Sequence, residues 1–305
     1  RLLLFYHPMY TFLLNKLSNY FNIFEAQNLL HLLLGIFQGL IIFYYLNYFV
    51  RQKLTIFLSI LLISTHYYFK SWGIYYPNPW TISVLIASLA LTTDKRLYVY
   101  PIMIIAGLFH KVGILIYILT FISKLIIHYI NTKENKIKKI IVKYKFDFII
   151  TSILFLIIYF FDYSPFKDLD VSIYSVYNFN INYEYFASLI FDNIRNLFQG
   201  IKHLLVLSPL LFIFFIYAFS LKTNDHKIEK LKIFSLLLIF SSIFYFLPSG
   251  GKPFAFGVRS WHLITLNYVV LSVTALMYLY KGKYNFFFKI LFISTLPIFL
   301  YWGIL

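Results

Sequence analysis

The sequence predicts an all-α, polytopic transmembrane protein, and three observations carry that prediction. Of the 305 residues, 61% are hydrophobic and only 12% are charged, where a soluble domain carries about a quarter charged residues. Apolar runs of roughly 15–20 residues recur along the chain, the length a helix needs to cross a bilayer. Lysine and arginine are spread unevenly between alternate loops, as a fixed orientation in a membrane requires.

Taken in order, residues 10–24 (YTFLLNKLSNYFNIF) place apolar side chains at helical spacing, with Asn15, Lys16, Ser18 and Asn19 between them. This pattern predicts a short helix lying in the outer interface. About ten candidate spans follow: 28–50, 54–69, 79–93, 97–109, 112–130, 146–161, 203–221, 232–248, 261–280 and 286–304. The run 97–109 is short for a full crossing and reads as tilted or partly re-entrant. It meets 112–130 at His110-Lys111. The polar, Tyr-rich stretch 171–200 predicts a second interfacial element. No internal repeat is visible, and residues 1–305 are expected to form a single transmembrane domain.

Orientation follows from the basic residues. Arg51, Lys53, Lys95, Arg96, the Lys133–Lys145 cluster, Lys222–Lys232, Lys281 and Lys283, with Lys124 and Lys289 near helix ends, put 18 of 27 on one side. The positive-inside rule makes that side cytoplasmic. The opposite face then carries the long segments: the outer interfacial segment 1–27 and the outer loops 162–202 and 249–260. Long loops on one face of a scaffold are where sites are built, so the working surface is expected outside. The chain is then expected to be an integral membrane protein with its active face outside the cytoplasm.

Several chemistries are excluded or disfavoured. The chain has no cysteine, which removes disulfides and thiolate metal sites. Its formal charge of +16 is explained by orientation and by contact with anionic lipid, so no nucleic-acid partner is expected. Asp162, Asp168 and Asp170 read as solvated loop acids beside Lys167; no metal site or cofactor is predicted, and a need for a divalent metal is left open. The SGGK stretch lacks the spacing of a phosphate-binding P-loop.

What remains is a set of polar residues on the expected outer face. Lys252 and Arg259 lie seven residues apart in SGGKPFAFGVRSW, where Gly250, Gly251, Pro253 and Gly257 allow the loop to bend both cations toward one anion. An arginine fork matches phosphate oxygens and a lysine adds a point charge. The alternative is contact with lipid headgroups. His110-Lys111 either meets a phosphate or an acceptor, or caps two helix ends. His7 either orients an outer loop or serves only as a helix-entry residue.

The stretch His7-Pro8-Met9-Tyr10, then Leu13-Leu14-Asn15-Lys16, Phe21-Asn22-Ile23-Phe24-Glu25 and Gly35 resembles the GT-C superfamily of glycosyltransferases. The likeness is to protein O-mannosyltransferases and bacterial polyprenyl-phosphate-sugar transferases. Ala106-Gly107-Leu108 with Lys111, and Arg259 ahead of an apolar run, continue it. The resemblance implies transfer of a sugar from a polyprenyl-phosphate-linked donor to a glycan, lipid or protein acceptor. Lys252, Arg259 and Lys111 would bind the donor phosphate, and His7, Glu25 and His110 would shape the loop. In that family an acidic catalytic residue precedes the HPPLY-like segment. The chain, opening on Arg1, is therefore expected to lack its true start, and the catalytic residue is unknown. Leu108-Phe109-His110 before an apolar helix is also similar to polysaccharide polymerases of the Wzy or EpsG kind, although Asn78-Pro79 replaces their usual Arg-Gln pair. A transporter of lipid-linked glycans would need mid-span charges and repeated halves, which are not seen.

Overall fold

The computed structural model describes residues 8–50, 79–110, 112–132, 142–160, 190–191, 193–195, 197–202, 205, 209–221, 225–244, 264 and 266–275. Among these residues every regular element is helical and none is a strand. The helices are α1 (Pro8–Ser18), α2 (Ile23–Phe49), α3 (Pro79–Ser88) with a 3-10 extension Leu89–Thr92, α4 (Arg96–Phe109), α5 (Val112–Thr132), α6 (Lys145–Phe160), α7 (Pro209–Ser220), α8 (His226–Phe244) and α9 (Leu266–Ala275). Candidate spans 54–69 and 286–304 lie outside the described residues. The chain divides into two compact units, residues 1–42 with 76–169 and residues 43–75 with 170–305.

In the first unit, the helix expected over 10–24 ends earlier, at Ser18. The amides of Tyr20 and Phe21 both return to the Leu17 carbonyl, and the Ser18 hydroxyl donates to the Asn15 carbonyl. The next helix then starts on a capping box. The Glu25 amide donates to Asn22 Oδ1 at 3.0 Å, and the Asn22 amide donates to Glu25 Oε2 at 3.3 Å. This cap starts α2 five residues before the apolar run suggested. Tyr10 on α1 and His31 on α2 are hydrogen-bonded at 2.9 Å. Along α2, Ala26, Leu30, Leu34, Gln38 and Ile41 are buried, while Leu32, Leu33, Ile36, Phe37 and Leu40 are exposed.

The densest part of this unit is a trio. Helix α3 packs against α4 and α5, α4 and α5 pack on each other, and α1 packs on α4. Ile82, Val84, Leu85, Met103, Ala106, Val112 and Ile116 form its centre. The chain leaves α4 and enters α5 within three residues, which is possible because position 113 has no side chain. A Cβ there would meet the Ala106 Cβ at 2.8 Å and its carbonyl carbon at 2.9 Å, and would collide with the Ser83 hydroxyl. Serine and threonine hydroxyls at 88 and 92 donate to carbonyls three residues back, and the end of the α3 run tightens into a 3-10 turn there.

The second unit contains the end of α2 with α7, α8 and α9. Tyr45, Leu46, Leu211, Phe215, Leu231, Phe234 and Tyr268 are buried, and the Phe215 and Tyr268 rings lie 5.2 Å apart. Helix α8 begins six residues before the expected span. Its polar first turns are held by Asp225, whose carboxylate accepts the Lys227 amide at 2.9 Å. Lys232, counted by charge pattern with the cytoplasmic loops and standing first in the expected span 232–248, is buried. Its ammonium donates to the Leu221 carbonyl just past α7 and pairs with Glu229 at 2.9 Å. A helix end with bare carbonyls attracts such a cation.

Among the described residues, two helices, Ile23–Phe49 and Val112–Ile130, are long and apolar enough to cross a membrane. Thr81–Thr92, Arg96–Phe109, Leu211–Ser220 and Leu266–Ala275 are shorter apolar helices.

Gly113→Ala is expected to destabilise the trio by about 1–3 kcal/mol, the usual cost of overpacking. Thermal unfolding of the purified protein measures this, and an unchanged Tm would show that α3 and α4 do not crowd α5 here.

Candidate functional site

The best-defined polar cluster lies where α4 turns into α5. His110 follows the last residue of α4 and is extended in backbone, with φ −166° and ψ 145°. Its amide still donates to the Ala106 carbonyl at 3.0 Å. Its carbonyl accepts the Gly113 amide at 2.9 Å and also the Ser83 hydroxyl at 2.9 Å. The same hydroxyl lies 2.7 Å from the Ala106 carbonyl. Its ring Nδ1 accepts the Val112 amide at 3.1 Å. One buried histidine thus joins the end of one helix to the start of the next, and α3 supplies the hydroxyl that completes the join. Accepting at Nδ1 requires that nitrogen to be unprotonated, so the neutral ring carries its proton on Nε2.

Glu25 belongs to a different helix start. Its carboxylate is committed to the Asn22 amide at the N-terminus of α2, where negative charge is also favoured by the helix dipole. The structure therefore places Glu25 and His110 at two separate helix starts, α2 and α5. His7, Lys111, Lys252 and Arg259 lie outside the described residues, as do Asp162, Asp168 and Asp170. Among the described residues, no group of three or more His, Asp or Glu is arranged to hold a metal ion.

Sequence reasoning missed a second cluster at the opposite end of α4. Arg96 donates to both oxygens of Asp147, at 3.1 Å from Nε and 2.7 Å from Nη2, and the Tyr100 hydroxyl adds a 2.7 Å bond. Nearby, Lys124 pairs with Asp94 at 3.4 Å and donates to the Thr93 carbonyl. Burial raises the Tyr144 hydroxyl above its ordinary pKa, and the charges of Asp94 and Asp147 raise it further against the smaller lowering effect of Arg96. An acid opening the apolar run after Lys145 was the available signal, but its partner stands 51 residues away. This cluster ties α4 to α6 by a bidentate charged pair and has the character of a brace.

A third polar pair lies in the second unit. Tyr45 on α2 donates its hydroxyl to Asn267 Oδ1 on α9 at 2.7 Å, with both residues fully buried. In sequence, one of three tyrosines in the run 41–50 and an asparagine in a distant apolar run give no sign of pairing across 222 residues.

His110→Ala is expected to cost about 1 kcal/mol, typical for loss of a helix cap. His110→Asn, which keeps an acceptor for the Val112 amide, should restore most of it. Equal Tm values for the Ala and Asn variants in a thermal melt would argue against the capping role. Comparison with known proteins adds no constraint here: no protein family, curated protein or solved structure matches this chain.

Proposed function

We propose that this chain is a polytopic integral membrane enzyme of glycan assembly. It transfers a sugar from a polyprenyl-phosphate-linked donor to a glycan, lipid or protein acceptor on the outer face of a bacterial inner membrane. The observation that carries the membrane part is the apolar surface left exposed along successive helices. Leu32, Leu33, Ile36, Phe37 and Leu40 on α2, Ile149 and Ile153 on α6, Ile213 and Ile216 on α7, and Leu236 and Phe240 on α8 are all exposed. In water, contiguous faces of this kind would drive aggregation; in a bilayer they meet acyl chains. The proposed topology has ten spans, with the lysine-rich loops in the cytoplasm.

The reaction part rests on the sequence resemblance and on charge. The acceptor hydroxyl attacks the anomeric carbon, the bond to the carrier phosphate breaks, and a base removes the hydroxyl proton. The departing phosphate takes on negative charge, and Lys252 and Arg259 are the residues proposed to neutralise it, with Lys111 as a third cation. His110, which precedes Lys111 in sequence, joins the end of α4 to the start of α5. The carboxylate that acts as base is not assigned.

A polymerase that joins whole repeat units is the second reading. The observation favouring it is the Phe109-His110 ending of α4, the element shared with that group, which is buried and held by five hydrogen bonds among Ser83, Ala106, His110, Val112 and Gly113.

The test is a transfer assay in proteoliposomes with radiolabelled polyprenyl-phosphate-linked sugars. A transferase gives a product one sugar longer, and a polymerase gives a ladder. Combined Lys252→Ala and Arg259→Ala should lower turnover about a hundredfold, the scale for losing electrostatic stabilisation of a leaving oxyanion, with Tm unchanged. Full activity in that double variant would remove the phosphate assignment. A wild type that moves sugar from no lipid-linked donor would remove the enzyme reading itself.

A further inference from the structure

We propose that the joined starts of α4 and α6 form a docking surface for an anionic phospholipid, a proposal that rests on the membrane part of the reading above. Every residue it uses lies in the first unit. The Arg96–Asp147 pair brings the first residue of α4 to the third residue of α6. Lys95 stands one residue before Arg96, and Lys145 two before Asp147, so the pair gathers both lysines at one end of these helices.

Charge at this end is unbalanced. Lys95, Arg96, Lys124, Lys143 and Lys145 stand against Asp94 and Asp147. Both acids are already engaged, Asp147 by Arg96 and Tyr100, and Asp94 by Lys124 at 3.4 Å. Lys95 and Lys145 are exposed, and among the described residues neither has an acidic partner. Lys95 occupies the N-cap position of α4 without a side-chain bond to the helix. Arg96 gives two of its five N–H donors to Asp147 and keeps 53% of its side chain exposed.

The same place is also apolar. Leu97, next after Arg96, is 77% exposed, and Phe146, next before Asp147, is 65% exposed. Each partner of the ion pair thus has an exposed cation and an exposed large apolar side chain within two residues. A soluble polyanion such as RNA matches the lysines and leaves Leu97 and Phe146 in water. A neutral lipid matches the apolar side chains and leaves the charge unanswered. A phospholipid with a net negative headgroup matches both. Under the proposed topology this end faces the cytoplasm, where the inner leaflet presents such headgroups. Lysines that serve only orientation can stand anywhere in a loop, whereas these two are set in place by an ion pair whose aspartate is 7% exposed.

The full chain, purified in a neutral detergent, is titrated with phosphatidylglycerol and separately with phosphatidylcholine, and bound lipid is counted by native mass spectrometry. The wild type should hold phosphatidylglycerol many-fold tighter. Lys95→Gln with Lys145→Gln should weaken that binding about thirtyfold, roughly fivefold for each lysine at an anionic headgroup, with the Tm in lipid-free detergent unchanged. Lys95→Arg with Lys145→Arg should retain it. Lys227→Gln with Lys230→Gln removes the same charge from α8 and should leave the affinity within about twofold. Equal losses in the two glutamine pairs would overturn the proposal by showing that net charge alone attracts lipid. Full affinity in the Lys95 and Lys145 pair would overturn it as well, and displacement of the lipid by a short RNA would assign the surface to another polyanion. Binding of both lipids without preference defeats this surface alone. Binding of neither, in a protein that stays soluble and monomeric without detergent, defeats the membrane reading with it.

Discussion

Backbone polar groups at helix ends must find partners, and in an apolar protein water cannot supply them. The α4–α5 turn shows how much of the first unit follows from this one constraint. Two apolar helices are joined within three residues, so the last carbonyls of one and the first amides of the other crowd together. His110 serves both, through its carbonyl and its ring nitrogen, and Ser83 reaches in from α3 to meet the Ala106 and His110 carbonyls. That reach demands close approach, and the approach demands glycine at 113. Packing, turn and polar network are thus one solution. Asn22 with Glu25 and Asp225 cap the exposed starts of α2 and α8 locally, and Lys232 meets the buried carbonyl past the end of α7.

The positions of the described helices were legible because apolar runs are long and their interruptions polar. Runs over 28–50, 97–109, 112–130 and 146–161 coincide with α2, α4, α5 and α6 to within a few residues. The boundaries went astray where a cap, and not hydropathy, decides the start. Helix α8 begins in HKIEKLK, a polar stretch that no apolar window reaches, because Asp225 caps it. Lys232 shows the limit of counting charges by side: the count gives the side of the membrane, while a bare helix end decides that the ammonium is buried.

Polar partnerships were far less legible. Glu25 three residues after Asn22 is a local pattern that a sequence displays. Arg96 with Asp147 and Tyr45 with Asn267 are meetings between helices, and nothing in the local sequence of either partner marks the other. The cations proposed for phosphate lie in a loop whose legible features are composition and expected side. For them sequence supplies the chemistry, Lys and Arg among glycines, and not the geometry.

Under the membrane topology proposed above, the shortness of α4 has a consequence for how the chain would enter a bilayer. Fourteen helical residues rise about 21 Å, well under the roughly 30 Å of a hydrocarbon core, and the helix begins on an arginine. On its own, α4 is a poor candidate for insertion. Its turn into α5 is so tight that the longer helix would carry it in as a hairpin, with the Ser83 contact closing behind. The arginine would still lack its counterion, because Asp147 is made 51 residues later. Biogenesis would then leave α4 provisional at one end until α6 emerges from the ribosome, and the bidentate pair would act as the latch that ends that interval.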